Sequence, residues 1–316
     1  MNKCCLTRSF RVISLAVITV VILLIFKTYP ASAQEITPSQ SQTASSAGQV
    51  ASKSAIPIIT PGHTPGYKKQ KEELLATFKA QIIAYQKAYK EFVLAKKQYK
   101  KLQTIESLND AIEATKQAAL RRNEVIGTYI EILHLELIQP QASLDPALRG
   151  QMIRANEALL DELKQFHQQI ESIVSRDDLY QALFKYEDLF RKVNYIAYKS
   201  RFILKVDRLY QSTLELKAIR KELPNQKEAI TQGDKLSELK FQRGLDEIDK
   251  QISIVDTSLK KIKTEIFPNE KTSADWYKES IKELTKAYAA SLRATNYVIE
   301  LLNPTKPTPT PNLLQR

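Results

Sequence analysis

From Tyr67 to Asn303 apolar residues recur every three or four positions, and a chain with that period buries its stripe by folding into packed α-helices. Two stretches carry the pattern most clearly. Leu75, Phe78, Ile82, Tyr85, Tyr89, Phe92, Lys96 and Tyr99 are spaced alternately by three and four. Phe241, Leu245, Ile248, Ile252, Val255, Leu259, Ile262 and Ile266 repeat the spacing with every position apolar, the a/d seam of a coiled coil. Glycine supports the same class. Only seven occur, and Gly48, Gly62 and Gly66 precede the periodic segment. Gly127, Gly150, Gly233 and Gly244 are too few for the tight turns of a sheet-rich or loop-built enzyme.

Prolines punctuate the stripe. Pro140, Pro146, Pro224 and Pro268 each fall where it stops, as expected of a residue that cannot continue a helix. Two further breaks follow from phase. After Tyr99 the first seam runs onto polar Gln103, Glu106 and Asp110, and Ser107 to Asp110 resembles a capping box with Asp in place of Glu. A turn is therefore expected near 103–108. Ser175 to Asp178 offers a similar cap, but there the stripe shifts by only one residue. That leaves open a helix running unbroken through 146–222, roughly 115 Å long. The predicted helices are 67–102, 107–138, 146–174, 177–222, 226–267 and 274–302. They group as two tandem three-helix bundles, 67–174 and 175–303, in an elongated antiparallel all-α body.

The flanks differ in kind. Lys3, Arg8 and Arg11 precede an uncharged run from Val12 to Phe26, and Ala31-Ser32-Ala33 supplies a small-x-small cleavage pattern, so residues 1–33 are expected to be a signal peptide. The alternative is a retained membrane anchor formed by residues 12–29. Either way the cationic side stays inside and the body is expected beyond the cytoplasm: periplasmic, surface-bound or secreted. Residues 34–66 are rich in Ser, Thr, Ala and Gln with interspersed prolines and are expected to form a disordered linker. Residues 304–316 form a Pro/Thr-rich tail.

Chemistry is sparse. Both cysteines, Cys4 and Cys5, lie in the signal segment, so a processed chain has no thiol or disulfide. Glu131 and His134 have the ExxH spacing of di-iron bundles, but Lys164 stands three residues before His167 where a second motif needs Glu. The expected alternative places His134 at a bundle boundary with Glu131 and Glu136 in solvent, and pairs His167 with Glu171 at the surface. No glycine-rich phosphate loop or G-x-S-x-G elbow is present. No catalytic, cofactor or metal site is predicted, and no cofactor.

Charge is more informative. Removing residues 1–33 takes away four cations and leaves a net charge of +8, of which the segment 67–102 carries +7 from ten Lys and three Glu. Lys96, Lys97, Lys100 and Lys101 close that helix and are the candidate contact with an anionic surface. Tyr85, Tyr89 and Tyr99 sit on the seam, which favours packing over base stacking, and no nucleic-acid partner is expected. Lys96 falls on the seam itself, where a polar residue sets register. The expectation is an exported, non-enzymatic coiled-coil protein serving as an extracytoplasmic spacer or protein-interaction scaffold. It would bind an envelope or surface protein, with homo-oligomerisation left open. The alternative is an envelope-binding module that meets anionic cell-wall polymer or lipid through the basic first helix.

Overall fold

A computed structural model describes residues 66–231, 233–268 and 274–302. The expected signal peptide (1–33), linker (34–66, apart from Gly66) and tail (304–316) lie outside these residues. Six helices of 27 residues or more dominate, and no strand occurs among the described residues. They are α1 (Tyr67–Leu102), α2 (Ile105–Leu137), α3 (Pro146–Ser172), α4 (Arg176–Glu222), α6 (Lys235–Lys261) and α7 (Ala274–Leu302). A five-residue α5 (Lys227–Thr231) follows a 3₁₀ turn at Leu223–Gln226, and a π turn at Ile262–Ile266 extends α6. None of the described helices is long and apolar enough to cross a membrane.

Boundary residues act through their caps. Pro146 opens α3 at its first turn, where no N–H is needed, and the Asp145 carboxylate accepts from Leu148 N–H at 3.0 Å. Between α3 and α4 the chain breaks: Ile173 is extended, and the Ser175 hydroxyl accepts from Asp178 N–H at 3.1 Å. No helix therefore runs through 146–222. Two expected boundaries are corrected. The α1–α2 turn is tighter than 103–108, because Thr104 rather than Ser107 is the N-cap. Ser107 serves as its reciprocal partner, giving N–H to Thr104 Oγ1 at 3.2 Å and accepting Thr104 N–H at 3.1 Å. The segment 226–267 is also not one helix. Gly233 takes φ 75°, a left-handed turn that glycine adopts without steric cost, and Asp234 caps α6 through Ser237 N–H at 2.8 Å.

Packing builds from the stripes. α1 lies on α2, α2 on α3 and α3 on α4. α4 also meets α2, from Leu179 to Arg208, and meets α6 and α7, which pack on each other. One core cluster joins Ala119 and Leu120 of α2, Phe166 and Ile170 of α3, and Leu179, Ala182 and Tyr186 of α4. A second gathers Leu216 of α4, Phe241, Leu245, Ile248 and Ile252 of α6, and Ala294 and Val298 of α7. The α6 seam is buried from Phe241 through Ile262 as its spacing predicts.

The α1 seam differs. Phe78 and Tyr85 are buried, but the remaining buried positions are Ala88 and Ala95, with Tyr89, Phe92, Lys96 and Tyr99 half-buried beside them. Small alanines let α1 approach α2 closely, so the contact line turns toward them and away from the larger apolar residues. Lys96 therefore flanks the seam and does not occupy it.

Candidate functional site

The four candidate lysines converge on one feature, the apex of the α1–α2 hairpin. α1 ends at Leu102. Gln103 enters the left-handed region at φ 53°, its N–H bonded to the Tyr99 carbonyl at 3.0 Å, and Thr104 begins the next cap. Only two residues separate the helices, each held by backbone or cap bonds, so the apex is a fixed corner. Lys100 and Lys101 lie in the last turn of α1, where unmatched carbonyls and the negative end of the helix dipole favour cations.

Lys97, Lys100 and Lys101 are exposed. Lys96 is half-buried, its Nζ 5.5 Å from the centre of the Phe92 ring. Burial lowers the pKa of its ammonium, with Lys100 adding repulsion. Two aliphatic side chains share the corner: Leu102 is 58% exposed and Ile105 80%. Glu106 and Asp110 stand exposed on the first turns of α2. The corner thus combines a cationic helix end, an apolar tip and a weaker acidic flank.

Behind the lysines an aromatic row runs along α1. The Tyr85 and Tyr89 rings lie 6.0 Å apart and those of Tyr89 and Phe92 5.9 Å apart. Tyr85 is buried, and burial raises its hydroxyl pKa. These rings serve the packing of α1 on α2, together with the Phe78–Tyr129 contact at 6.0 Å.

His134 and Glu131 do not come together as ligands. His134 Nε2 faces Glu157 of α3 at 3.9 Å, and its buried Nδ1 has no hydrogen-bond partner among the described residues. Glu131 is exposed as expected. Glu136 is not in solvent. It bridges three helices, accepting Lys71 of α1 at 2.8 Å and Arg208 of α4 at 2.7 Å with its side chain mostly covered. His167 pairs with Glu171 at 3.3 Å on the surface of α3. Among the described residues no group of three or more His, Cys, Asp or Glu is placed to hold a metal.

The most elaborate polar cluster escaped sequence reasoning. Arg149 is 7% exposed and Asp207 0%. Their ion pair, at 2.7 Å, joins the first turn of α3 to the middle of α4. Arg149 also donates through Nε to the Leu137 carbonyl at 2.9 Å and through its other terminal nitrogen to the Gln139 carbonyl at 2.8 Å. Asp207 accepts the Ser143 hydroxyl at 2.9 Å and Leu144 N–H at 3.0 Å. Burial pushes the Asp207 carboxyl above the usual carboxylate range, opposed by these donors and by the Arg149 charge. The cluster stitches the 138–145 connection onto α4. Its one sequence signal is an acid lodged between Val206 and Leu209 on an apolar face.

Comparison with known protein families, with curated proteins and with solved structures finds no match to this chain.

Proposed function

We propose that the chain is an exported, non-enzymatic helical scaffold, a spacer working outside the cytoplasm that holds a protein partner on its helix faces. The observation that carries this reading is where the buried charge goes. Arg149 and Asp207 are buried and bonded to each other and to the 137–144 backbone and Ser143, and the mostly covered Glu136 ties Lys71 of α1 to the outward-lying Arg208 of α4. Charge invested this way fixes the mutual placement of helices, which a scaffold requires and which leaves those groups unavailable for proton transfer. The N-terminal cationic–apolar–Ala-x-Ala order supports export.

The test is fractionation followed by crosslinking. A photo-crosslinking residue at exposed Phe184 of α4 should yield a discrete protein adduct in an extracytoplasmic fraction. Recovery of the chain in the cytoplasm with no adduct would refute the reading.

A second reading, contact with an anionic envelope surface, has its own support. Exposed Lys97, Lys100 and Lys101 form no ion pair among the described residues and stand beside an apolar tip. A scaffold that touches the envelope at this corner and a partner along its faces is consistent with both.

A further inference from the structure

We propose that the α1–α2 apex docks on an anionic lipid bilayer. Leu102 and Ile105 enter the headgroup boundary, and Lys97, Lys100 and Lys101 meet the lipid phosphates. This deepens the envelope-contact reading above and rests on it.

The argument starts from Leu102 and Ile105, which flank the two-residue connection and are both more than half exposed. They are not the fringe of a core. The cluster that gathers α2, α3 and α4 reaches on α2 only to Ile112, and Ile105 lies roughly 10 Å of helix beyond it. Past the buried Ser107 and half-buried Leu108, Leu102 and Ile105 leave more than half of their surface in water, so the fold makes little use of them. An apolar tip rimmed by cations is the composition that binds an anionic membrane interface, where acyl boundary and headgroup charge are used together.

That pairing selects the occupant. A soluble anionic polymer is held by the lysines alone and leaves Leu102 and Ile105 in water. Glu106 and Asp110 oppose the approach of any anion, so the corner should land on its α1 side, where four lysines sit within two turns. Long lysine stems lie along apolar surface while their ammonium groups reach the headgroups. The contact is also remote from residue 67: α1 has 36 residues, about 54 Å of helix.

The test places a reporter on the corner, so that lipid binding by residues 12–29 does not register. Full-length chain carrying Ile105→Trp is mixed with vesicles of brominated phosphatidylcholine, with and without phosphatidylglycerol. Ile138→Trp, beyond the other end of α2, is the control, and native Trp276 is common to both. Expected is quenching at position 105 that requires phosphatidylglycerol and fades with salt, with position 138 unaffected. Each lysine near an anionic surface contributes about a fivefold factor, so Lys97→Gln, Lys100→Gln and Lys101→Gln together should weaken it on the order of a hundredfold. Circular dichroism checks that these exposed substitutions leave the helices intact.

Absence of quenching at position 105, or equal quenching on neutral vesicles, would overturn the proposal. So would binding of a soluble polyanion with no quenching, which would leave the envelope-contact reading standing with a polymer as partner. Release of the exported chain from isolated envelopes by salt tests that reading separately, so the failure of each is distinguishable.

Discussion

At the scale of single residues the decisive interactions pair groups far apart in sequence. Arg149 and Asp207 are 58 residues apart, and each is the other's counter-charge in a site closed to water. Removing one leaves the other buried and unpaired, which costs about 3–5 kcal/mol. Arg149→Met and Asp207→Leu are therefore each expected to lower stability by that amount in urea unfolding. The double variant should lose clearly less than the sum, because no uncompensated charge remains. Additive losses would mean that the pair acts as two independent hydrogen-bonding groups. Gly127 marks the opposite case. It lies inside α2, and a Cβ built there meets nothing within 4 Å. Gly127→Ala should raise stability by about 1 kcal/mol through backbone entropy alone, seen as a higher melting temperature.

Helices form here because stripes, caps and breakers agree, and the disagreements are instructive. Lys96 reads as a seam residue when only large apolar positions are counted, yet Ala95 holds the buried place. Alanine contributes little to an apolar count and much to close helix approach. Ser107 reads as a cap, although Thr104 takes that role and uses Ser107 as its partner. Gly233 and Asp234, which split the expected 226–267 helix, are an ordinary turn-and-cap signal hidden inside an unbroken apolar period. The α6 seam was legible from Phe241 to Ile262 because every position in it is large and apolar; past Ile262 a π turn shifts the register, leaving Ile266 half-buried and Phe267 buried. Ile252 and Leu259 lie in it, 8% and 3% exposed, against α7 and α4. Ile252→Asp and Leu259→Asp each put an unpaired carboxylate into a dry interface and should cost several kcal/mol. Thermal unfolding followed by circular dichroism reads this directly, and an unchanged melting temperature for either would show that this face of α6 is not packed.

At the scale of the whole molecule, the proposal of export rests on the N-terminal segment. If the Ala31-Ser32-Ala33 pattern is cleaved, the exported chain begins at Gln34, which N-terminal sequencing of the extracytoplasmic fraction determines. Retention of residues 1–33 would point to the membrane-anchored alternative. The all-α class, most helix ends and the basic character of α1 follow from the sequence alone, because periodicity, proline and charge act within a few residues of where they are written. Three things only the tertiary structure decided. α4 serves two sets of neighbours, meeting α2 and α3 from Leu179 through Arg208 and α6 and α7 from Tyr198 through Leu216, so the two sets overlap around its middle. Glu136 ties three helices together and does not face solvent. Leu102 and Ile105 stand clear of the core, at a corner shared with the lysines. Each depends on which stripe meets which. That choice is made by shape and by charge pairing between segments tens of residues apart, and a local pattern carries no record of it.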